Sequence, residues 1–118
     1  MDSREVKPVF EGEAVEVYSG DDLIVMVDLK VEDLHKRQRI RLHGVDTPNA
    51  IGASPKTEAG RVRSDVRSKV AGQKLRITVE SKTPTSWVAV VEVLGGREPT
   101  NLNQYLIDKG YEYKRRGK

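Results

Sequence analysis

The chain has 118 residues and a mass of 13.2 kDa, the size of one ordinary domain with one core. Hydrophobic residues make up 36% and charged residues 33%, and 21 Lys+Arg against 18 Asp+Glu leave a net charge of +3, too mild to establish a nucleic-acid partner alone. Absence of cysteine excludes a disulfide framework, a thiolate zinc site and a cysteine nucleophile, and suits a cytoplasmic location. Charges alternate through Asp2, Arg4, Glu5 and Lys7, where a signal peptide needs an apolar stretch. No window approaches the roughly 18 apolar residues of a membrane span, so neither a leader nor a membrane partner is expected.

Val15 and Val17 alternate with Glu16 across Ala14–Tyr18, the period of a half-buried strand. Ser19-Gly20-Asp21-Asp22 is turn chemistry. A second strand follows over Leu23–Leu29, with Leu23, Val25, Val27 and Leu29 on one face. After a polar connection, a third strand over Arg37–Gly44 places Ile40 and Leu42 opposite Arg37, Arg39 and Arg41. Pro48 ends it, since proline donates no ladder bond. Thr57 then caps an amphipathic helix carrying Ala59, Val62, Val66 and Val70 and ending near Gly72.

Two more strands, Lys74–Glu80 and Trp87–Leu94, flank Thr83-Pro84-Thr85. A second helix, capped within Thr100–Asn103, stops at Gly110. The order β-β-β-α-β-β-α predicts a mainly β fold with helices (α+β class), a five-stranded OB-fold barrel. One helix lies between strands three and four and one at the C-terminal end. Residues 1–118 read as one domain, a monomer, with its core at about 13–113 and flexible termini at 1–8 and 114–118.

Three segments carry a family resemblance. They are Gly20-Asp21-Asp22, the run from Arg41 to Asp46-Thr47-Pro48, and the helix with Asn103, Leu106 and Gly110. Together they resemble the staphylococcal nuclease (thermonuclease) family, whose members read G-D-T, R-x-x-x-x-D-T-P-E and N-x-x-L-x-x-x-G at these places. The resemblance implies an OB barrel that hydrolyses DNA or RNA phosphodiesters with calcium. It implies Asp21, Asp46 and the Thr47 carbonyl as metal ligands and Arg41 as the phosphate-holding cation.

The departures point to weak or lost hydrolysis. The family glutamate after D-T-P is Asn49 here, and an amide takes up no proton at neutral pH. The family's Y-G-R arginine falls on Thr85-Ser86-Trp87, where no cation stands, and one lost donor of this kind costs about 100- to 1,000-fold in rate. Nucleic acid is the expected partner, through the stripe Arg37, Arg39 and Arg41, with Trp87, Tyr111 and Tyr113 as stacking residues. Plainer readings stand beside these: a solvated arginine face, a packing role for Trp87 and His43, turn-capping for Asp21 and Asp46, and an unstructured tail. Two alternatives remain open. One is an active divergent calcium nuclease, with Glu58, Asp22 or His43 replacing the base and Arg61, Arg63 or Arg97 the cation. The other is a barrel that binds protein.

Overall fold

The computed structural model describes residues 6–114. Five strands form the barrel: β1 (Val9–Ser19), β2 (Asp22–Asp28), β3 (His35–Leu42), β4 (Lys74–Lys82) and β5 (Trp87–Val93). Helix α1 (Glu58–Val70) lies between β3 and β4; a two-residue strand β6 (Thr100–Asn101) leads into helix α2 (Leu102–Asp108). The sheet order is β3-β2-β1-β4-β5-β6, and a parallel pairing of β3 with β5 over Ile40–Leu42 and Trp87–Ala89 closes the first five strands into a barrel. Class, strand number and both helix positions agree with the sequence expectation.

Strand β1 begins earlier than its alternation predicts, at Val9 rather than Ala14. Glu11, Gly12 and Glu13 hide the apolar period there. Gly12 is required by space, because a Cβ at that position would sit 2.5 Å from the Met26 carbonyl oxygen. Register shifts at Ala14/Glu16 and Val17/Ser19 bend β1, so its first half, from Val9 to Glu13, pairs with β4 while the stretch from Glu11 to Ser19 pairs with β2. Bulges of this kind let one strand serve two sides of a small barrel. Lys7 and Pro8, expected in a flexible terminus, are also engaged: the Val79 N–H donates to the Pro8 carbonyl at 2.9 Å and Lys7 pairs with Glu80 at 2.9 Å.

The core is filled from all five strands, with Leu23, Val25, Ile40, Leu75, Ile77 and Val91 fully buried. Helix α1 packs on β1 through Val62, Val66 and Val70. Its cap is the expected Thr57, whose Oγ1 accepts from the Gly60 N–H at 3.1 Å, and its last helical residue is Val70. Helix α2 is capped by Asn101, whose side chain accepts from the Gln104 N–H at 2.9 Å, and it buries Leu102, Asn103 and Leu106. Asn103 accepts from the Val91 N–H at 2.9 Å and donates to the carbonyls of His43 at 2.8 Å and Ala89 at 3.1 Å. One buried amide thereby ties α2 to β5 and to the exit of β3. The segment after α2 is tied down as well, the Asp46 N–H donating to the Tyr111 carbonyl and the Tyr113 N–H to that of Gly44, both at 2.8 Å.

Candidate functional site

The turn after β1 and the loop after β3 meet because β2 and β3 pair in register from Asp22↔Arg41 to Asp28↔His35. Their meeting forms a cleft of about 260 Å³ lined by Ser19, Asp21, Asp22, Arg39, Arg41, Asp46, Thr47, Asn49 and Ile51. The expected residues Asp21, Arg41, Asp46, Thr47 and Asn49 are thus brought together with Arg39. Arg37, Trp87, Tyr111 and Tyr113 lie outside the cleft.

Asp21 is 5% exposed. Its Oδ1 accepts from the Thr47 hydroxyl at 3.0 Å, and its Oδ2 lies 3.7 Å from Arg41 Nη2. Burial pushes its carboxyl above the ordinary value of 3.8, against the lowering influence of the Thr47 hydrogen bond and the Arg41 charge. Next to it, Arg39 grips Asp22 with two donors, Nε to Oδ1 at 2.9 Å and Nη2 to Oδ2 at 2.5 Å, the forked geometry in which arginine binds a carboxylate best. The remaining arginine of the stripe, Arg37, is 3.7 Å from Glu16 across the sheet. Asp46 is exposed and makes no ion pair among the described residues.

Asn49 stands where the resemblance expects a carboxylate, and its amide oxygen is engaged with the backbone, accepting from the Ile51 N–H at 2.9 Å. That is an Asx turn, a local structural duty. Across the barrel, the stretch where the second family arginine falls is a tight turn: Thr83 Oγ1 accepts from the Ser86 N–H at 3.0 Å, and Ser86 is 4% exposed. None of the substitutes Glu58, His43, Arg61, Arg63 and Arg97 lines the cleft. Arg61 donates to the Lys56 carbonyl, and Arg63 to those of Ala50 and Ala53. Asp22 does line it, held by Arg39.

Of the carboxylates expected to hold calcium, Asp46 is exposed and Asp21 is engaged by Thr47 and faces Arg41. Calcium takes six to eight oxygens, yet both oxygens of Asp21 and both of Asp22 face protein donors. Among the described residues, no three His, Cys, Asp or Glu side chains gather in a ligating group.

Two of the candidate stacking residues, Trp87 and Tyr111, are otherwise engaged. Trp87 is 7% exposed and stacks on Phe10 at 5.1 Å. The Tyr111 hydroxyl donates to Glu58 Oε2 at 2.8 Å, an acceptor that, with some burial, raises the phenol above its usual range. Tyr113 is 58% exposed. The basic tail residues Arg115 and Arg116 lie outside the described residues. Two cleft residues, Ser19 and Ile51, were not among the expected site residues. Ser19 Oγ accepts from the Ala50 N–H at 3.0 Å, pinning the β3–α1 loop onto β1, and Ile51 stands 65% exposed at the lip. A larger groove of about 530 Å³ lies elsewhere, against Glu11, Glu13, Met26, Asp28 and His35, and holds none of the expected site residues.

Comparison with known proteins finds no matching family model and no matching curated protein. Among solved structures, the chain is similar to extended Tudor domain TD3 of mouse TDRD1, solved in complex with a MILI peptide containing dimethylarginine. The two share 14% identity and a TM-score of 0.51, over 94% of this chain and 68% of that one. The likeness shows the fold. The molecule is an OB-like, Tudor-like closed β-barrel.

Proposed function

We propose that this barrel is a binding module without hydrolytic power, and that its partner is a protein segment. The observation that carries this reading is the charge pairing on β3. Arg37, Arg39 and Arg41 lie 3.7, 2.5 and 3.7 Å from the carboxylates of Glu16, Asp22 and Asp21. A phosphate backbone is bound by free cations that displace its counterions, and here carboxylates of β1, of β2 and of the turn between them already face these cations. General-base help is missing too, because Asn49 has no titratable group and serves a turn. The mouse barrel solved with a peptide offers a precedent for a protein ligand on this architecture. Its methylated ligand is not carried over, since Trp87 is packed against Phe10 rather than standing in an open aromatic cage.

A second reading, phosphate binding by a remnant of a nuclease site, rests on Arg41. Its side chain is 51% exposed and its contact to Asp21 is long, so it has room to turn toward a ligand. One assay separates the readings. The purified protein and Asp46→Ala are incubated with single-stranded DNA and RNA in calcium, magnesium and manganese. Neither cleavage nor salt-sensitive binding is expected; binding without cleavage that weakens steeply as salt rises would favour the phosphate reading, and cleavage that vanishes in Asp46→Ala would restore the calcium nuclease.

A further inference from the structure

Strand β3 is paired along its whole length to β2, but β5 covers its other edge only at Ile40–Leu42. Among the described residues, no strand pairs with the outer edge of His35–Arg39. The Leu42 N–H bonds the Asp21 carbonyl, so by the two-residue alternation of an antiparallel ladder Arg37 and Arg39 direct their backbone groups outward. The Arg39 carbonyl confirms the direction: it is met by the chain's own Gln38 Nε2 at 3.0 Å, not by a neighbouring strand. The outward groups of Arg37 have no such side-chain partner among the described residues.

The charges beside this edge differ from those farther along β3. Lys36 and Lys82 converge on the ring of Trp87, 5.4 and 5.0 Å from its centroid, and neither is within ion-pair distance of a carboxylate among the described residues. Lys36 belongs to the open segment of β3, and Lys82 is paired with Trp87 where β4 turns into β5. A strand edge offering the outward groups of Arg37 and the Arg39 N–H, with two uncompensated ammonium groups beside it, is complementary to an extended chain bearing carboxylates. Main-chain ladder bonds would supply affinity and the lysines selectivity, as in strand addition.

We infer that the His35–Arg39 edge of β3 is a strand-addition site for an extended acidic segment of a partner protein. The inference rests on the protein-binding reading above and gives it a location and a ligand chemistry. The plainer account is that lysines at an edge only discourage sheet-to-sheet association, in which case no acidic strand should seat there.

The test titrates the full chain with a short peptide of alternating glutamate and valine, in parallel with one of alternating lysine and valine and with a single-stranded oligonucleotide. Binding is read by amide shifts and by hydrogen exchange at Arg37 and Arg39. The expected result is saturable binding of the acidic peptide alone, with slowed exchange at those two amides. Affinity should fall about tenfold or more in the Lys36→Glu/Lys82→Glu double variant and be retained in Lys36→Arg/Lys82→Arg. No binding of the acidic peptide, or binding without protection of Arg37 and Arg39, overturns the inference. If the lysine peptide binds instead, at the groove of Glu11 and Glu13, the edge is wrong while protein binding stands. Binding of the oligonucleotide alone removes both.

Discussion

The two ends of β3 carry similar charge and treat it in opposite ways. Toward the C-terminal end, Arg39 and Arg41 face Asp22 and Asp21, carboxylates that are almost wholly buried where the turn after β1 enters β2. Toward the N-terminal end, Lys36 lies over an indole beside Lys82, with no carboxylate in reach among the described residues. The first arrangement is internally neutralised and resembles a site whose counter-charges have moved inside. The second leaves cations on offer next to an uncovered strand edge. Position of charge, rather than its sum, decides which end can recruit an anionic partner.

The largest expected effect comes from removing the platform at the lysine end. Trp87→Ala empties a buried site against Phe10 and should cost about 3–5 kcal/mol, read from urea denaturation. A loss under about 1 kcal/mol would mean that the ring does not close the barrel as the structure has it. The next effect is at the paired end. Asp22→Ala removes the forked partner of Arg39, and because that arginine is 39% exposed the screened loss should be about 1 kcal/mol.

A smaller effect of opposite sign is expected at Asp21. Its folded-state pKa is raised by burial, so its contribution to stability is fully present below the unfolded value near 3.8 and is lost as pH rises through the raised value. Asp21→Asn should therefore be tolerated or slightly stabilising at neutral pH. Its advantage over the parent should shrink as pH falls toward 3.8. A variant that loses stability most at neutral pH would show the ionised carboxylate to be favoured by its surroundings. The smallest response is to metal: added calcium should leave the amide signals of Asp21 and Asp46 in place, and saturable shifts at both would show a working site.

Much of this was legible in the sequence, for particular reasons. Apolar alternation located four of the five barrel strands closely, and Thr57 marked the start of α1 because a hydroxyl cap is a local device. The start of β1 was hidden because Glu11, Gly12 and Glu13 break the apolar period, and Gly12 is fixed by the approach of β2. The meeting of Asp21, Arg41 and Thr47 was readable from the spacing of a known motif. The neutralisation of the arginines was not. Asp22 is in register with Arg41 yet bonds Arg39, a diagonal choice that depends on strand pairing and twist. The convergence of Lys36 and Lys82 on Trp87 depends on barrel closure, which brings together residues that share no local pattern.

The central claim is that the cations of the cleft, Arg39 by hydrogen bonds and Arg41 at longer range, are countered by the protein's own carboxylates. The most direct measurement follows the Arg39 and Arg41 guanidinium Nε–H signals while a single-stranded oligonucleotide is added at low and then rising salt. The account predicts that Arg39 stays in place, bonded to Asp22, and that no saturable shift develops at Arg41. Joint saturable shifts of both arginines, weakening steeply with salt as phosphate contacts do, would contradict it.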